Sequence, residues 1–356
     1  MLAQRLFPPS RVLPPPRAQA ATPRYHPYPP RDNLRTFTSR PQVQHTAEQH
    51  GLWYTLRPSV VQQLFQYGIP KQYMTQCRTF AETCLMVRQP ALTLMDYIRR
   101  SDLSLPPNKF LLYGRNGCGK TLSLIHTTHF LADAGWLLIH LPWAPRWRRN
   151  FKEVTPSSTI EGQYNHPLDA VMWLQHFKTQ NADLLKSLQL VTQERYTWSR
   201  REITEPDAPL GELVDVGISR ARYSTDCVLA LTSELKRHAT EGRCKVAVVV
   251  DGINTFYSPK NGVVVGSVDT LANEGQRRES HLPRYLLRKQ GWEALDPFVP
   301  IPVEDYNDLE MRSAIDYYLD RHWLQNPQAG SDIGRRELAA LSAHNPYLLM
   351  HVCRPL

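Results

Sequence analysis

Short apolar runs alternate along the chain with segments whose apolar residues recur every three or four positions. The runs predict buried β-strands, and the three-to-four spacing predicts amphipathic helices. The predicted strands cover residues 109–113, 136–141, 245–250, 262–268 and 298–303. Pro300 and Pro302 place the last one at a sheet edge or in a distorted strand, because proline cannot donate to a strand ladder.

Predicted helices separate these strands and then dominate the C-terminal end of the chain. One helix runs from a glycine-rich loop to Gly135, and segment 142–149 is predicted to be an aromatic and basic loop. The other predicted helices cover 58–65, 79–88, 90–100, 167–177, 209–238, 309–319, 335–341 and 347–353. Strands that alternate with helices indicate an α/β fold with a parallel sheet, followed here by a helical C-terminal module.

The composition indicates a mildly basic folded body behind a strongly basic tail. Hydrophobic residues make up 42% of the chain, which is enough for a buried core. Six arginines and one aspartate give residues 1–35 a charge of +5, which leaves +4 of the total of +9 for the remainder. Segment 1–40 is predicted to be a mitochondrial transit peptide. A plain disordered tail is the alternative, because its prolines oppose an amphipathic helix.

Two classes of protein are disfavoured, membrane-spanning proteins and zinc-ribbon proteins. No apolar run reaches the length that a bilayer crossing needs. The six cysteines include no CxxC pair, which disfavours a zinc ribbon and indicates free thiols in a reducing compartment.

The clearest chemical motif is a glycine-rich loop between a predicted strand and a predicted helix. Residues 114–121 match G-x-x-x-x-G-K-[ST] in full. In such a loop the backbone N–H groups face phosphate oxygens, and the helix N-terminus adds the positive end of its dipole. Lys120 is expected to reach the β- and γ-phosphates, and Thr121 to bind magnesium. The motif predicts a nucleotide site formed by Gly114, Arg115, Asn116, Gly117, Cys118, Gly119, Lys120 and Thr121.

A second part of the site is predicted at the end of the strand 245–250. Asp251 follows it, where a P-loop protein needs an acid to hold magnesium. Many P-loop ATPases carry a second acid next, which orients the attacking water, but Gly252 cannot do so. Binding with slow or absent hydrolysis is therefore predicted, with Glu274 or Glu279 as alternative bases. There is no N-K-x-D motif, so the residues leave guanine and adenine open.

The spacing of the two motifs predicts an insertion and a short connection. Lys120 and Asp251 lie far apart for a minimal core, so segment 143–240 is predicted to be an insertion. It begins with aromatic and basic residues that suit contact with RNA or with a protein partner. These residues are Trp143, Arg146, Trp147, Arg148 and Arg149. The alternative is a solvated loop whose tryptophan packs on the core. Only about ten residues follow Asp251 before the next strand, too few for a parallel crossover. The two strands are therefore not parallel neighbours, or a helix is missing.

Several stretches of the chain resemble one known family, the death-associated protein 3 family of GTP-binding mitochondrial ribosomal proteins. The similarity runs from about residue 58 to the end. The stretches are 79–92 (TFAETCLMVRQPAL), 111–124 (LLYGRNGCGKTLSL), 250–254 (VDGIN), 291–300 (GWEALDPFVP) and 341–349 (LSAHNPYLL). The chain departs from the family after Asn254, where the family has a longer segment that includes a helix.

The resemblance implies an AAA-like P-loop core with strand order 5-1-4-3-2 and a C-terminal helical lid. It adds Leu122 to the residues around the phosphates and assigns Asp251, with Thr121, to Mg²⁺. It also implies GTP or GDP as ligand, residence in the small subunit of the mitochondrial ribosome, and contact with neighbouring ribosomal proteins. It further implies a position near the intersubunit bridges to the large subunit, and a link to apoptosis.

Together these observations predict a structural protein of the mitochondrial small ribosomal subunit in the matrix, with a bound nucleotide, GTP or GDP with ATP possible, and Mg²⁺. The predicted parts are the tail 1–40, a helical extension 41–105, the nucleotide-binding domain 106–303 and the C-terminal module 304–356. The alternatives are a soluble apoptotic GTPase and a stand-alone AAA-type ATPase, which would need an arginine finger such as Arg220 or Arg222.

Overall fold

Five parallel strands form the central sheet in the computed structural model of the chain. The structure describes residues 34–36, 41, 45–157, 161–255, 263–272 and 280–354. The predicted tail 1–40 therefore lies outside the described residues, apart from 34–36. The strands are β1 (Trp53–Thr55), β2 (Cys84–Met86), β3 (Lys109–Tyr113), β4 (Trp136–Leu141), β5 (Thr155–Pro156), β6 (Tyr164–Asn165), β7 (Tyr196–Thr197), β8 (Ile203–Thr204), β9 (Lys245–Val250), β10 (Val263–Ser267) and β11 (Val299–Pro302).

Helices surround the sheet and form the C-terminal module. They are α1 (Pro58–Leu64), α2 (Lys71–Phe80), α3 (Gln89–Arg100), α4 (Lys120–Asp133), α5 (Pro145–Arg149), α6 (Pro167–Gln180), α7 (Ala182–Leu188), α8 (Leu210–Ser219), α9 (Ser224–Thr240), α10 (Pro283–Leu295), α11 (Asp308–Asp320), α12 (Asp332–Ser342) and α13 (Pro346–Val352). Proline at the first or second position opens six of them, because its fixed φ suits a first turn where its missing N–H costs nothing.

The central sheet has the order β11-β3-β10-β9-β4, and every neighbouring pair is parallel. Counting only these five strands along the chain, the order is 5-1-4-3-2, as the resemblance implied. The strand with Pro300 and Pro302 lies at one edge, which confirms that prediction. The carboxyl ends of β3, β10 and β9 meet at one edge of the sheet and bring together the residues that follow each of them.

Alternate side chains of the strands enter different cores. Phe110 and Leu112 of β3 belong to the core that α3 and α4 cover, whereas Leu111 between them faces α10 on the opposite side. On that opposite side, Leu137 and Val246 join the core of segment 143–240, which α6, α8 and α9 build. Apolar side chains on both faces explain why these strands are almost uniformly apolar in sequence.

The N-terminal extension shares a core with the C-terminal module. The antiparallel pair β1 and β2 packs with α2 against α11 and α13. The indole of Trp53 stacks on the ring of Tyr317 with centroids 4.0 Å apart, and its Nε1 donates to Ser313 Oγ at 3.1 Å. Two segments that are distant in sequence are thus held side by side, and the space between them opens towards the glycine-rich loop.

Two local predictions are wrong. Segment 79–88 is not a helix: α2 ends at Phe80, Ala81 takes a left-handed φ of 53°, and β2 follows. All three residues of β2 are buried, and a short apolar run of this kind gives no periodicity that separates strand from helix. Segment 142–149 is not wholly a loop either, because Pro145 begins the short helix α5.

The connection between β9 and β10 is short although the two strands are parallel neighbours. Residues 251–262 span it, and its described part contains a 3₁₀ turn, Ile253–Thr255. The first alternative, that the two strands are not parallel neighbours, is therefore wrong.

Two coarser predictions agree with the structure. All six cysteines are buried free thiols. Within the described part of the chain, no helix combines the length and the apolar character that a bilayer crossing requires.

Candidate functional site

The glycine-rich loop leaves the central strand β3 and ends in the first turn of α4. Gly117 and Gly119 have φ angles of 80° and 99°, which only glycine adopts without strain. A Cβ atom at Gly117 would also lie 2.6 Å from Asn345 Oδ1. The first N–H groups of a helix have no partner within it, and an anion at the loop would lie at this end of α4. The structure places on this loop and turn Gly114, Arg115, Asn116, Gly117, Cys118, Gly119, Lys120, Thr121 and Leu122.

Lys120 is buried at the centre of the loop, with 4% of its surface exposed. Its Nζ donates to Gly114 O at 3.1 Å and to Arg115 O at 2.9 Å. It also forms an ion pair with Asp269 Oδ2 at 3.1 Å. The ammonium group therefore lies where a phosphate would meet the loop, and its position is fixed by the protein itself.

The two residues predicted to serve magnesium are in contact. Thr121 Oγ1 donates to Asp251 Oδ2 at 2.8 Å, and Ser267 Oγ donates to the other carboxylate oxygen. Burial raises the pKa of Asp251 to about 6, although the hydrogen bonds from Ser267 and Thr121 act in the opposite direction. A buried carboxylate beside a threonine hydroxyl is a donor set that suits a hard cation such as Mg²⁺.

Gly252 follows Asp251 and has no room for a side chain. Its φ is 75°, and a Cβ atom would lie 2.9 Å from Pro145 Cδ. Its N–H donates to Ser267 Oγ at 3.1 Å, which fixes the turn. The backbone conformation and the nearby Pro145 ring therefore exclude the second acid that many P-loop ATPases carry at this position. Glu274 and Glu279, the alternative bases, lie outside the described residues.

Arg88, in the N-terminal extension, reaches the loop from the side. It is 6% exposed; its Nη1 donates to Cys118 O, and its Nη2 donates to Glu310 Oε2 at 2.9 Å. The same nitrogen donates to Glu304 O at 2.9 Å. His50 Nε2 lies 3.0 Å from the other oxygen of Glu310. A single guanidinium group thus joins the extension, the glycine-rich loop and the C-terminal module.

The C-terminal module also binds the loop directly. Asn345 Nδ2 donates to Asn116 O at 3.1 Å and to Asp305 Oδ1 at 2.7 Å. The backbone N–H of Tyr347 donates to Gly117 O at 3.2 Å, and Arg115 pairs with Asp305 at 3.2 Å. The module therefore forms a roof over the mouth of the loop.

A cavity of about 190 Å³ lies between the loop, the extension and this module. Polar and charged residues on its wall include Arg88, Lys120, Thr121 and Asp269. Aromatic residues on its wall are Trp53, Tyr73, Tyr306, Tyr318 and Tyr347. The cavity thus combines cationic groups that suit phosphates with aromatic rings that suit a flat ligand.

Three residues of the site escape sequence reasoning. Asp269 has a usable signal, because it follows β10 as Asp251 follows β9, and parallel strands end at the same sheet edge. Arg88 and Asn345 carry no such signal. They reach the loop only through long-range packing of the extension and the C-terminal module.

The aromatic and basic segment lies beside Asp251, since Ala144 N donates to Asp251 O at 2.9 Å. Trp143 is 37% exposed, whereas Trp147 packs partly into the core of the insertion. Arg149 Nη1 donates to Leu271 O at 2.6 Å. Arg146 is half-buried, and the side chain of Arg148 lies outside the described part of the structure.

Arg220 and Arg222, the arginine-finger candidates, and two buried histidines of α4 have partners within the protein. Arg220 pairs with Glu202 at 2.9 Å, and the guanidinium of Arg222 lies over the ring of Tyr223. His126 Nε2 lies 2.8 Å from His45 Nδ1 in a buried cluster, and His129 is buried on the same helix. Over the described ranges, no group of three or more His, Cys, Asp or Glu side chains is arranged to hold a metal ion.

Comparisons with known proteins agree with one another. A family model of mitochondrial ribosomal death-associated protein 3 matches residues 85–259 and 257–352. The chain is 37% identical to small ribosomal subunit protein mS29 of Mus musculus, across 92% of this chain and 90% of that protein. It is 36% identical to small ribosomal subunit protein mS29 of Bos taurus, across 90% and 87%. The two matched segments meet within residues 257–259, in the short connection between β9 and β10. The chain therefore belongs to the mitochondrial ribosomal death-associated protein 3 family.

Proposed function

We propose that this protein is a structural constituent of the mitochondrial small ribosomal subunit, located in the matrix, that holds a guanine nucleotide and Mg²⁺ with slow or no hydrolysis. The observation that carries the assembly role is identity to small ribosomal subunit proteins along about 90% of the chain. The nucleotide would be GTP or GDP, with ATP as the alternative.

The polar residues on the cavity wall support polyphosphate binding. The first turn of α4 has N–H groups that lack partners within the helix, Lys120 supplies a buried positive charge, and Thr121 and Asp251 supply oxygen ligands for magnesium. Bound magnesium would neutralise part of the phosphate charge. A purine base would lie against the aromatic side chains that the extension and the C-terminal module place on the cavity wall.

The AAA-like arrangement is supported by the strand order and by the helical roof over the loop. A working ATPase of that class would also need a second acid after Asp251. Gly252 excludes a side chain there, so nothing at that position can orient an attacking water.

A nucleotide that is bound but not cut can stabilise the fold by mass action. Ligand at 1,000 times its dissociation constant adds about 4 kcal/mol to the free energy of unfolding. Because the cavity is walled by the extension, the loop and the C-terminal module, this stabilisation would act on all three parts.

The partners proposed are other proteins of the small subunit, with the large subunit reached through intersubunit bridges. Ribosomal RNA contact is proposed through Trp143, Arg146, Trp147, Arg148 and Arg149. An exposed indole and guanidinium groups can stack on bases and pair with phosphates.

Lys120→Ala tests the proposal, with Lys289→Ala as the matched control because Lys289 is exposed on α10. Thermal unfolding of the purified chain with and without GDP and Mg²⁺ is expected to show stabilisation in the control and little in Lys120→Ala. In mitochondrial lysate, the control is expected to sediment with small subunits, and Lys120→Ala less so. Chromatography of the nucleotide extracted from the purified protein identifies the base.

Two outcomes would count against this function. Identical stability and sedimentation of the two variants would exclude a structural nucleotide. Sedimentation of the unmutated protein away from small subunits would favour the alternative role in apoptosis that the family resemblance implies.

A further inference from the structure

Every N–H donor of the Lys120 ammonium group already has a partner in the protein. A lysine has three such donors, and here they meet Gly114 O, Arg115 O and Asp269 Oδ2. The two carbonyls belong to the loop itself. Asp269 is the partner that carries a negative charge and stands on the cavity wall.

The Asp269 carboxylate is held firmly in that position. Its Oδ1 accepts from Leu271 N at 2.8 Å, which leaves Oδ2 for Lys120. Its backbone N–H donates to Asn254 Oδ1 at 3.2 Å, and its carbonyl accepts from Asn254 Nδ2 at 3.0 Å. Asp269 is 8% exposed, so water screens its charge poorly. If the Asp269 side chain rotated away from Lys120, its hydrogen bond from Leu271 N would be lost.

We propose that Asp269 makes the site select nucleoside diphosphates over nucleoside triphosphates by competing with the terminal phosphate for Lys120. This inference rests on the proposed function. A diphosphate can use the N–H groups of the loop and of the first turn of α4, together with the nearby charge of Lys120, without displacing Asp269 from the lysine. A third phosphate needs the lysine donor that Asp269 holds and brings further negative charge to a buried carboxylate.

Binding affinities of the full chain for GDP and for the β,γ-imido analogue of GTP test this, because the analogue is not hydrolysed. Titration calorimetry in excess EDTA is expected to show GDP binding about tenfold tighter, since a hydrogen bond to a charged group is worth at least one power of ten. With Mg²⁺ the preference is expected to persist but shrink, because the cation offsets phosphate charge.

Asp269→Asn is expected to bring the ratio of the two dissociation constants close to one, mainly by strengthening the triphosphate analogue. Asp269→Ser is the second variant, because serine can still accept from Leu271 N without carrying a charge. Asp305→Asn is the matched control. It removes a negative charge that pairs with Arg115, keeps an Oδ1 acceptor for Asn345 Nδ2, and leaves the partners of Lys120 unchanged.

Several results would overturn the inference. The inference fails if the unmutated chain binds the triphosphate analogue as tightly as GDP or more tightly. It also fails if Asp305→Asn brings the ratio of the two dissociation constants as close to one as the Asp269 variants do, because the loss of any nearby negative charge would then explain the effect. Weaker binding of both nucleotides by the Asp269 variants only when Mg²⁺ is present would make Asp269 a magnesium ligand instead. If the unmutated chain binds neither nucleotide, the proposed function itself fails.

Discussion

The buried acid Asp251 gives the ligand-free protein a pH dependence whose sign is unusual for a carboxylate. Its pKa is raised from 3.8 to about 6, mainly because burial disfavours the charged form. A shift of about two pKa units corresponds to about 3 kcal/mol. The folded state holds the proton longer than the unfolded state does. The free energy of unfolding therefore falls by about this amount as the pH rises from about 4 to about 6, and is then level.

The proposed binding of magnesium and nucleotide would reverse this pH dependence, because a magnesium ion is held by the charged carboxylate. Any stabilisation by GDP and Mg²⁺ is therefore expected to shrink as the pH falls below about 6. Urea denaturation of the unmutated chain and of Asp251→Asn, at a series of pH values and with and without ligand, measures both effects. Asparagine keeps the shape of the side chain and removes its titration.

The difference between the two proteins isolates Asp251 from other titrating groups. Buried histidines act in the opposite direction: burial lowers the pKa of His140 to about 3 and those of His129 and His176 to about 4. Their contribution is complete above about pH 6.5 and is lost as the pH falls. Both proteins share it, so it cancels. A difference between them that stays flat from pH 4 to pH 7 would refute the assignment of a raised pKa to Asp251.

Two further substitutions test the roles given to Arg88 and Gly252. Arg88→Met is expected to lower the free energy of unfolding by about 3–5 kcal/mol, because it leaves the Glu310 carboxylate buried without its main partner. Adding Glu310→Gln is expected to recover part of this loss, because it removes the unpaired charge. Urea denaturation measures both variants, and a double variant less stable than Arg88→Met would contradict this explanation. Gly252→Glu is expected to destabilise by at least about 1–2 kcal/mol, given the left-handed φ, without producing phosphate release. Gly252→Ala is its control, and a folded Gly252→Glu protein that turns over GTP repeatedly would contradict our explanation of the missing acid.

Sequence periodicity predicted the elements that obey a local rule. The five core strands are short apolar runs because helices cover both sheet faces, and α3 and α4 follow proline or glycine signals at their starts. The loop is predictable because phosphate binding constrains the spacing of its own residues, and Asp251 because it directly follows a buried strand. The strand order came from resemblance and not from the pattern.

What could not be predicted depends on contacts between distant segments. The three buried residues of β2 form a strand because β1 pairs with them, a fact that no local pattern carries. Arg88 matters because Glu310 lies 222 positions away in sequence and 2.9 Å away in space. Asn345 likewise enters the site only because the C-terminal module folds back onto the loop.

The contacts around the loop also bear on whether this fold can cycle. A P-loop machine opens and closes its lid around each nucleotide. Here Asn345 and Tyr347 bind carbonyls of the loop, and Arg88 binds a third carbonyl while its charge is neutralised by Glu310. Opening the lid would expose these carbonyls to water and leave a buried charge without its partner. A site closed in this way suits a nucleotide that is bound once and kept. Together with the side-chain-free turn at Gly252, it argues for a ligand that joins three segments of the chain rather than a substrate that is consumed.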